Sequence, residues 1–506
     1  MSNKLIYDIH DRPKFGQMLV FALQQLLAIL AATIAVPTII GLPTQIPAAI
    51  LGAGIGTLVY QLFTKFKSPV FLGSSFAFLS SLGVAVAYGY CGIILGSIVA
   101  GLVYVVLAII IHFAGTAWVN KLMPPVIIGP TVALIGLSLA GSAMGDMVKA
   151  NASTLFASNN LISLVCGLVA FFTIVICSTQ KRVKMARLIP FIIGIGAGYA
   201  VAAIFTLIGS VANIDYFMII NFKPVVDNFV AADGTFKGLT AFINYPDFAL
   251  IEAIKELING NVSAEILTAS KGNATLLNWG GVAEVIIAFL PVALVVFAEH
   301  IADHKNLSSI IGKDLITDPG LKRTLLGDGV GSMAGTIFGI CPNTTYGESV
   351  GCVAITKNAS IATITTTAFM CIILSFISPI MALLQTIPSC VMGGVCLTLY
   401  GFIAVSGLKM FKNLDLDDNK NLFVVAAILI SGIGGLTIQI PYAFAANGAV
   451  AKTIQITSIA TALILGIVTN AILNKVEKSK LGVEAVEEET PVEAEAAATE
   501  DTGAQE

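Results

Sequence analysis

Fourteen apolar runs, separated by polar punctuation, divide this chain of 506 residues at approximately 15–37, 44–63, 68–87, 90–113, 123–145, 160–178, 187–210, 281–302, 324–340, 342–356, 359–384, 388–408, 421–438 and 451–474. About 20 apolar residues in a helix are what crosses the hydrocarbon core of a bilayer. Hydrophobic residues make up 56% of the sequence and charged ones only 11%, where an ordinary soluble domain carries about 25% charged. So few charges cannot coat a water-soluble surface, and lipid is the solvent to reason from. The expected fold is an all-α polytopic membrane protein of fourteen transmembrane segments. The expected organisation is a cytoplasmic N-terminus (1–14), a first group of seven segments (15–210), an external loop (211–280), a second group of seven (281–474) and an acidic cytoplasmic tail (475–506).

Lys and Arg collect on the cytoplasmic side of membrane proteins. With the N-terminus inside, 21 of the 27 bases fall on that side, five (Lys149, Lys223, Lys237, Lys255, Lys271) fall outside, and Lys452 sits at a segment edge. Both termini are therefore expected in the cytoplasm, with the body of the chain in the plasma membrane. The first run follows Lys4, Arg12 and Lys14 but is too long for a signal peptide and leads into further segments, so it reads as an uncleaved helix. After Lys480 the chain has nine acids and no base, a composition that reads as a disordered, solvated end. Eight cysteines are scattered, mostly inside apolar runs, without C-x-x-C pairing. They read as small buried hydrophobes, and no metal site or cofactor is expected. The external loop reads as a partly ordered cap, and its sequons at Asn261 and Asn273 as chance matches.

Laying the first seven segments on the last seven exposes an internal repeat. Gly54, Gly56 and Thr57 match Gly329, Gly331 and Ser332 at an offset of 275, and Ser74-Ser75-Phe76 matches Thr344-Thr345-Tyr346 at 270. Pro125, Gly129 and Gly136 echo Pro388, Gly393 and Gly401 at about 264. Seven is odd, so the second copy enters the membrane from the opposite side. The third segment contains Gly73-Ser74-Ser75-Phe76 and the tenth Pro342 to Gly347, neither suited to a continuous lipid-facing helix. Such breaks are tolerated only where they line a cavity inside the protein. Inverted repeats interrupted at matching positions are the design of secondary transporters, which bind substrate near the midplane.

Ionisable groups inside the bilayer are expensive and so mark function. Here they are Glu284, Glu299, His300, Asp303, His304, Asp328 and Glu348, with His112 near the end of segment four. His112 reads as an interfacial residue, and Glu284 and Asp328 as hydrated groups near segment ends. Glu299 and Asp303 are one helical turn apart on one face. Two carboxylates that close in low dielectric cannot both stay ionised cheaply, which makes the pair a natural proton carrier. Asp303, Glu299 and His304 are accordingly the expected proton-coupling group; capping of the end of segment eight is the structural alternative. Glu348 follows a bend that starts a half-helix, and the break at Ser74 starts another facing it. Free N–H groups at two half-helix starts suit a carbonyl or an anion. A flat ring with C=O and N–H groups would use those donors and the carboxylates together, with Tyr346 or Phe76 against its apolar edge.

At these residues the sequence resembles a known family. The stretch Pro342-Asn-Thr-Thr-Tyr-Gly-Glu348-Ser-Val-Gly351, with Ala298-Glu299-His300 and Gly73-Ser-Ser-Phe-Ala-Phe78, is similar to the nucleobase/ascorbate transporters (nucleobase:cation symporters), and within them to bacterial uracil permeases. The resemblance runs from about Phe15 to Lys475, omitting the external loop and the acidic tail. It implies fourteen segments in two inverted repeats, with a core (segments 1–4 and 8–11) moving against a gate (5–7 and 12–14), and short extended pieces of segments three and ten forming the substrate site. It implies Glu299 and Glu348 on the ring N–H and carbonyl edge of uracil, backbone N–H groups at Phe76 and Gly347 on its oxygens, and Tyr400 as a gate contact. Two positions depart from the family pattern: Ser349 stands where Asn is usual, and Asp303 stands where close uracil permeases have a second His and purine-transporting relatives have Asp.

The reading that follows is a secondary transporter that imports uracil by proton symport through alternating access. The alternatives are a purine (xanthine or uric acid) symporter of the same family, or coupling to Na⁺. An anion transporter of the same inverted-repeat design is a further rival, although those relatives carry a folded cytoplasmic domain that this tail is too short to form. An enzyme is not expected, since neither H-E-x-x-H nor a nucleophile elbow is present. The expected partners are uracil or a related nucleobase, a proton or sodium ion and the lipid bilayer, with no nucleic acid. A homodimer is compatible with the sequence and not required by it.

Overall fold

The structure, a computed structural model, describes residues 5–149, 160–180, 182, 186–187, 189–231, 233–444 and 450–488. The first half contains helices α1 (Phe15–Ile39), α2 (Ile46–Phe63), α3 (Leu79–Val86), α4 (Gly89–Ala114), α5 (Pro125–Ser138), α6 (Ala140–Val148), α7 (Leu161–Thr179) and α8 (Pro190–Ala212). The second contains α9 (Trp279–Ile311), α10 (Leu321–Phe338), α11 (Gly347–Thr356), α12 (Ile361–Ser375), α13 (Ser389–Lys409), α14 (Asn419–Ile433) and α15 (Ser458–Glu488). Among the described residues, nine helices are long and apolar enough to cross a membrane. The helix α10, with Lys322, Arg323, Asp328 and four glycines in its 18 residues, is not among them. It is buried by other helices rather than by lipid, so it has no need of an apolar surface.

The two breaks form the only non-helical pairing in the middle of the fold among the described residues. Strand β1 (Leu72–Ser74) runs antiparallel to β2 (Asn343–Thr345), with Leu72 opposite Thr345, Gly73 opposite Thr344 and Ser74 opposite Asn343. Each strand end turns straight into a helix start, a 3₁₀ turn at Phe76–Phe78 and α11 at Gly347. Pairing lets backbone groups that a helix would have satisfied internally satisfy one another across the two halves of the chain.

Helices α2 and α10 cross at these strands, and their closeness depends on glycine. A Cβ on Gly52 would stand 2.4 Å from the carbonyl oxygen of Gly335, and one on Gly331 would stand 2.7 Å from that of Gly56. Small residues one turn apart on both helices allow such backbone approach inside membranes. Of the glycines that recur between the two halves of the sequence, Gly56 and Gly331 meet at this crossing, while Gly54 packs on α12 and Gly329 on α4. Helices α1, α2, α4, α9, α10 and α12 pack together as one group, and α5, α7, α8, α13, α14 and α15 as another, with α9 against α5 and α1 against α13 at the seam.

Three local expectations are corrected. The run 421–438 ends as a helix at Ile433, and the run 451–474 becomes helical only at Ser458. Between them β3 (Ile438–Phe444) and β4 (Val450–Ile456) form an antiparallel hairpin with Ile438 opposite Ile456. Thr437-Ile-Gln-Ile440 and Thr453-Ile-Gln-Ile456 are identical stretches whose apolar–polar alternation has the strand period of two, a signal that counting hydrophobic residues overlooks. The acidic segment is also not irregular from residue 475, because α15 continues to Glu488; residues 489–506 lie outside the described residues. Finally, α9 extends to Ile311, well past the expected end at 302. Asp303 and His304 therefore lie two turns inside a helix and do not cap its end.

The segment 211–280, expected as an external loop, is folded and attached. Glu256 accepts the backbone N–H of Tyr90 at 2.9 Å and that of Ser263 at 2.9 Å, which holds the helix Ala249–Asn259 to the start of α4. At the other side Thr206 of α8 accepts the N–H groups of Ile219 and Ile220 at 3.1 and 3.0 Å.

Candidate functional site

A cavity of about 780 Å³ opens beside the strand pair. Its inner wall holds Glu299 and Asp303 from α9, Ser75 and Phe76 from the first break, and Thr345, Tyr346, Gly347 and Glu348 from the second. Its outer wall is formed by Phe191, Phe402 and Ser406, and it continues to Arg187 and Lys409, which are exposed. The expected substrate-site residues Glu299, Glu348, Phe76, Gly347 and Tyr346 thus converge on one space, together with Asp303. They come from three stretches of chain centred near 76, 301 and 347.

The helix α9 carries two stripes. At about 100° per residue, Glu299 and Asp303 share one face, and His300 and His304 share a second about 100° around from it. The acid stripe faces the cavity. Asp303 is held there by Thr345, whose hydroxyl donates to its Oδ2 at 2.7 Å. Glu299 has an Oε2 that is buried with no hydrogen-bond partner. Unsatisfied buried acceptors are rare, and one on the wall of a cavity is an unfilled valence for a donor from a bound molecule.

The histidine stripe faces away from the cavity. His304 is buried, with Nδ1 2.8 Å from the carbonyl oxygen of His300 and Nε2 2.8 Å from the Tyr60 hydroxyl, which donates to Ser68 at 2.7 Å. His300 lies 2.7 Å through Nδ1 from Asp328 Oδ2 and 3.0 Å through Nε2 from Thr324 Oγ1. The hydrated position expected for Asp328 is corrected: its exposure is 0%. Because α10 begins at Leu321, Asp328 stands about 10 Å along the helix at 1.5 Å per residue, about two turns from its start. Glu284 is likewise engaged, accepting a hydrogen bond from the Tyr88 hydroxyl. His112 is exposed in the last turn of α4, where Lys322 Nζ donates to its Nδ1 at 3.3 Å.

Aromatic groups frame the cavity in a way the sequence did not specify. The Tyr346 ring lies across Gly73, so close that a Cβ there would fall 2.3 Å from it. Its hydroxyl donates to the Ser74 carbonyl at 3.0 Å and lies 3.4 Å from Thr33 Oγ1, which turns the polar end into the protein and leaves the ring on the cavity side. Tyr400 does not line the cavity; it meets Phe76 edge to face, with ring centroids 5.2 Å apart and planes at 87°. Tyr400 therefore reaches the cavity only through Phe76.

Two supports escaped the sequence reading. Gln25 of α1 donates to Ser349 Oγ at 2.5 Å, and the Phe71 N–H donates to the same oxygen at 3.3 Å. Ser349 therefore ties α1, β1 and α11 together directly behind Glu348. Asn343 donates its side-chain amide to the Gly52 carbonyl at 2.9 Å and its backbone N–H to Ser332 Oγ at 3.0 Å, which fixes β2 to the α2–α10 crossing. The polar pair Gln24-Gln25 in an apolar run was visible, but nothing in its spacing names a partner more than three hundred residues away.

Known proteins bear on this arrangement. Residues 16–441 match the sequence profile of a permease family. The chain is 36% identical over 476 residues to a uracil permease of Bacillus caldolyticus, covering 93% of this chain and 95% of that one. It is 35% identical over 486 residues to a uracil permease of Bacillus subtilis (strain 168), covering 95% and 98%, and 34% identical over 437 residues to one of Escherichia coli (strain K12), covering 85% and 88%. Among solved structures it is similar in fold to the transmembrane domain of the cyanobacterial bicarbonate transporter BicA, with a TM-score of 0.51 at 12% identity over 92% of this chain and 99% of that one. It is also similar to the murine anion transporter Slc26a9 in its inward-facing state, with a TM-score of 0.58 at 11% identity over 92% and 70%. At such low identity these structures speak only for a shared fold. Matched over most of its length by the profile and by uracil permeases of similar size, the chain is a multi-pass membrane protein that belongs to this permease family, the nucleobase/ascorbate transporters.

Proposed function

We propose that the protein imports uracil by proton symport, with fourteen segments in two inverted repeats and a core that moves against a gate. The observation that carries this reading is the partnerless Oε2 of Glu299 on the wall of a cavity shared with Asp303, Glu348 and two half-helix starts. A uracil ring would give its N–H groups to Glu299 and Glu348 and take N–H donors at Phe76 and Gly347 on its oxygens, since the first N–H groups of a helix have no acceptor inside it. The Tyr346 ring would lie along its apolar side. A proton taken up around Glu299 and Asp303 would remove the repulsion among three acids before the substrate docks. Continuity of the cavity with Arg187 and Lys409, on the base-rich side, supports an inward-facing arrangement with cytoplasmic termini in the plasma membrane.

Asp303 favours one second reading. At this position the resemblance associates His with uracil and Asp with purines, so xanthine or uric acid is the alternative substrate. Uptake of radiolabelled uracil into proteoliposomes, under imposed proton or sodium gradients and with unlabelled bases in competition, tests both readings. Concentrative uptake driven by the proton gradient and blocked by uracil but not by xanthine is expected. Uptake driven only by sodium, uptake that never exceeds equilibrium, or competition by xanthine alone would overturn the proposal.

A further inference from the structure

Among the described residues, His300 and Asp328 are the only acid–base pair with both side chains at 0% exposure, and the transport mechanism above makes no use of them. Thr324 Oγ1 lies 3.1 Å from the Leu321 carbonyl and 3.0 Å from His300 Nε2. With the hydroxyl hydrogen on the carbonyl, the one neighbour of the two that can only accept, Nε2 is the donor to Thr324 and carries a hydrogen. At the other end Nδ1 lies 2.7 Å from Asp328 Oδ2, a contact that a bare ring nitrogen and an ionised carboxylate, both acceptors, cannot make. A second hydrogen must occupy that bond. The pair is then uncharged as a whole, either imidazolium with carboxylate or imidazole with carboxylic acid. Burial points the same way, because an unpaired carboxylate far from water is strongly disfavoured.

The groups around the pair explain why this matters. His304 stacks on His300 with centroids 4.1 Å apart, and Tyr104 of α4 meets the His300 ring edge to face at 6.0 Å. A charge on Asp328 would act on Glu299 and Asp303 of α9 and on Tyr60 and Tyr104, while Glu348 of α11 acts on the same two acids. No Lys or Arg is among them. We infer that His300 and Asp328 hold a resident proton, distinct from the transported one, and act as positioning residues that keep a fourth negative charge away from Glu299 and Asp303. The count follows from the Thr324 hydroxyl pointing at the Leu321 carbonyl; its consequence for coupling rests on the proton-symport reading.

Two measurements on the full-length protein test this. The chain has four histidines, so nitrogen-15 NMR of histidine-labelled protein in lipid can resolve His300, assigned by elimination through variants of His10, His112 and His304 if His300 variants fold poorly. A protonated Nε2 at neutral pH is expected; a bare Nε2 overturns the inference. The second measurement is uracil binding against pH without a gradient. In His300→Gln, Asp328 has no base to share its proton with; it stays neutral at low pH, and once it ionises on the upper limb its charge makes the cavity acids hold their proton to higher pH, shifting the upper midpoint by about one pH unit in the alkaline direction. Adding Asp328→Asn should return the midpoint to the wild-type value. An unshifted His300→Gln midpoint, or a shift that persists in the double variant, contradicts the inference. If wild-type binding has no pH dependence, the symport reading fails while the NMR result still decides the proton count.

Discussion

Thr345 donates a hydrogen bond of 2.7 Å to Asp303 Oδ2, tying the break before α11 to the helix that carries Glu299. Through this bond a change of proton occupancy on Asp303 is felt by the backbone that leads into Gly347 and Glu348. Asp303→Asn keeps a partner for Thr345 but removes the titrating group. It is expected to bind uracil and exchange it down a gradient, while losing most acceleration by an imposed pH gradient in proteoliposomes. Full proton dependence in this variant would exclude Asp303 from coupling.

Glu299 offers its partnerless oxygen to the cavity, and an amide there presents a different hydrogen-bonding face. Hydrogen bonds to a charged group contribute about 1.5–3 kcal/mol, so Glu299→Gln should weaken uracil binding by about ten- to a hundred-fold. Isothermal titration with the purified variant measures this directly, and unchanged affinity would remove Glu299 from the substrate site.

The crossing of α2 and α10 leaves no room at Gly52, where an added Cβ would stand 2.4 Å from a backbone oxygen of Gly335 that cannot swing aside. Overpacking of this kind costs about 1–3 kcal/mol. Since Asn343 also bonds to the Gly52 carbonyl, Gly52→Ala should lower both the thermal stability in detergent and the affinity for uracil. Gly83→Ala, where the space is open, is the matched control and should change neither.

Glu265 of the loop segment 211–280 reaches Gln45 and Tyr90 through Oε2 at 3.4 and 3.3 Å, while its Oε1 is buried without a partner. Burial raises its pKa above the usual carboxylate value, against the opposing hydrogen bonds from Gln45 and Tyr90. The folded loop therefore binds a proton more tightly than the unfolded chain. Its attachment is strongest in acid and weakens as pH rises from the unfolded value of about 4.3 through the folded one, then stays constant. Protease sensitivity of the loop should rise with pH across that window, and Glu265→Gln should flatten the dependence and leave the loop no less protected at neutral pH.

The sequence by itself determined the solvent, the placing of nearly every long helix, the two breaks and the acid stripe of α9. These are local properties. Bilayer thickness sets segment length, backbone hydrogen bonding requires helices where lipid is the neighbour, and a spacing of four residues puts Glu299 and Asp303 on one face whatever else the chain does. The local reading failed where a different period was present, at the identical Thr-Ile-Gln-Ile stretches of the β3–β4 hairpin, and where helix ends were misplaced, at Asp303, His304 and Asp328.

What only the tertiary structure decided is which polar groups satisfy one another. Gln25 and Ser349 are 324 positions apart, Ser74 and Asn343 pair across the two halves, and His300 finds Asp328 on a different helix. Periodicity places a side chain on a face but carries no information about the face opposite. In lipid every buried donor and acceptor must be matched inside the protein, so those matches are fixed by how the helices cross.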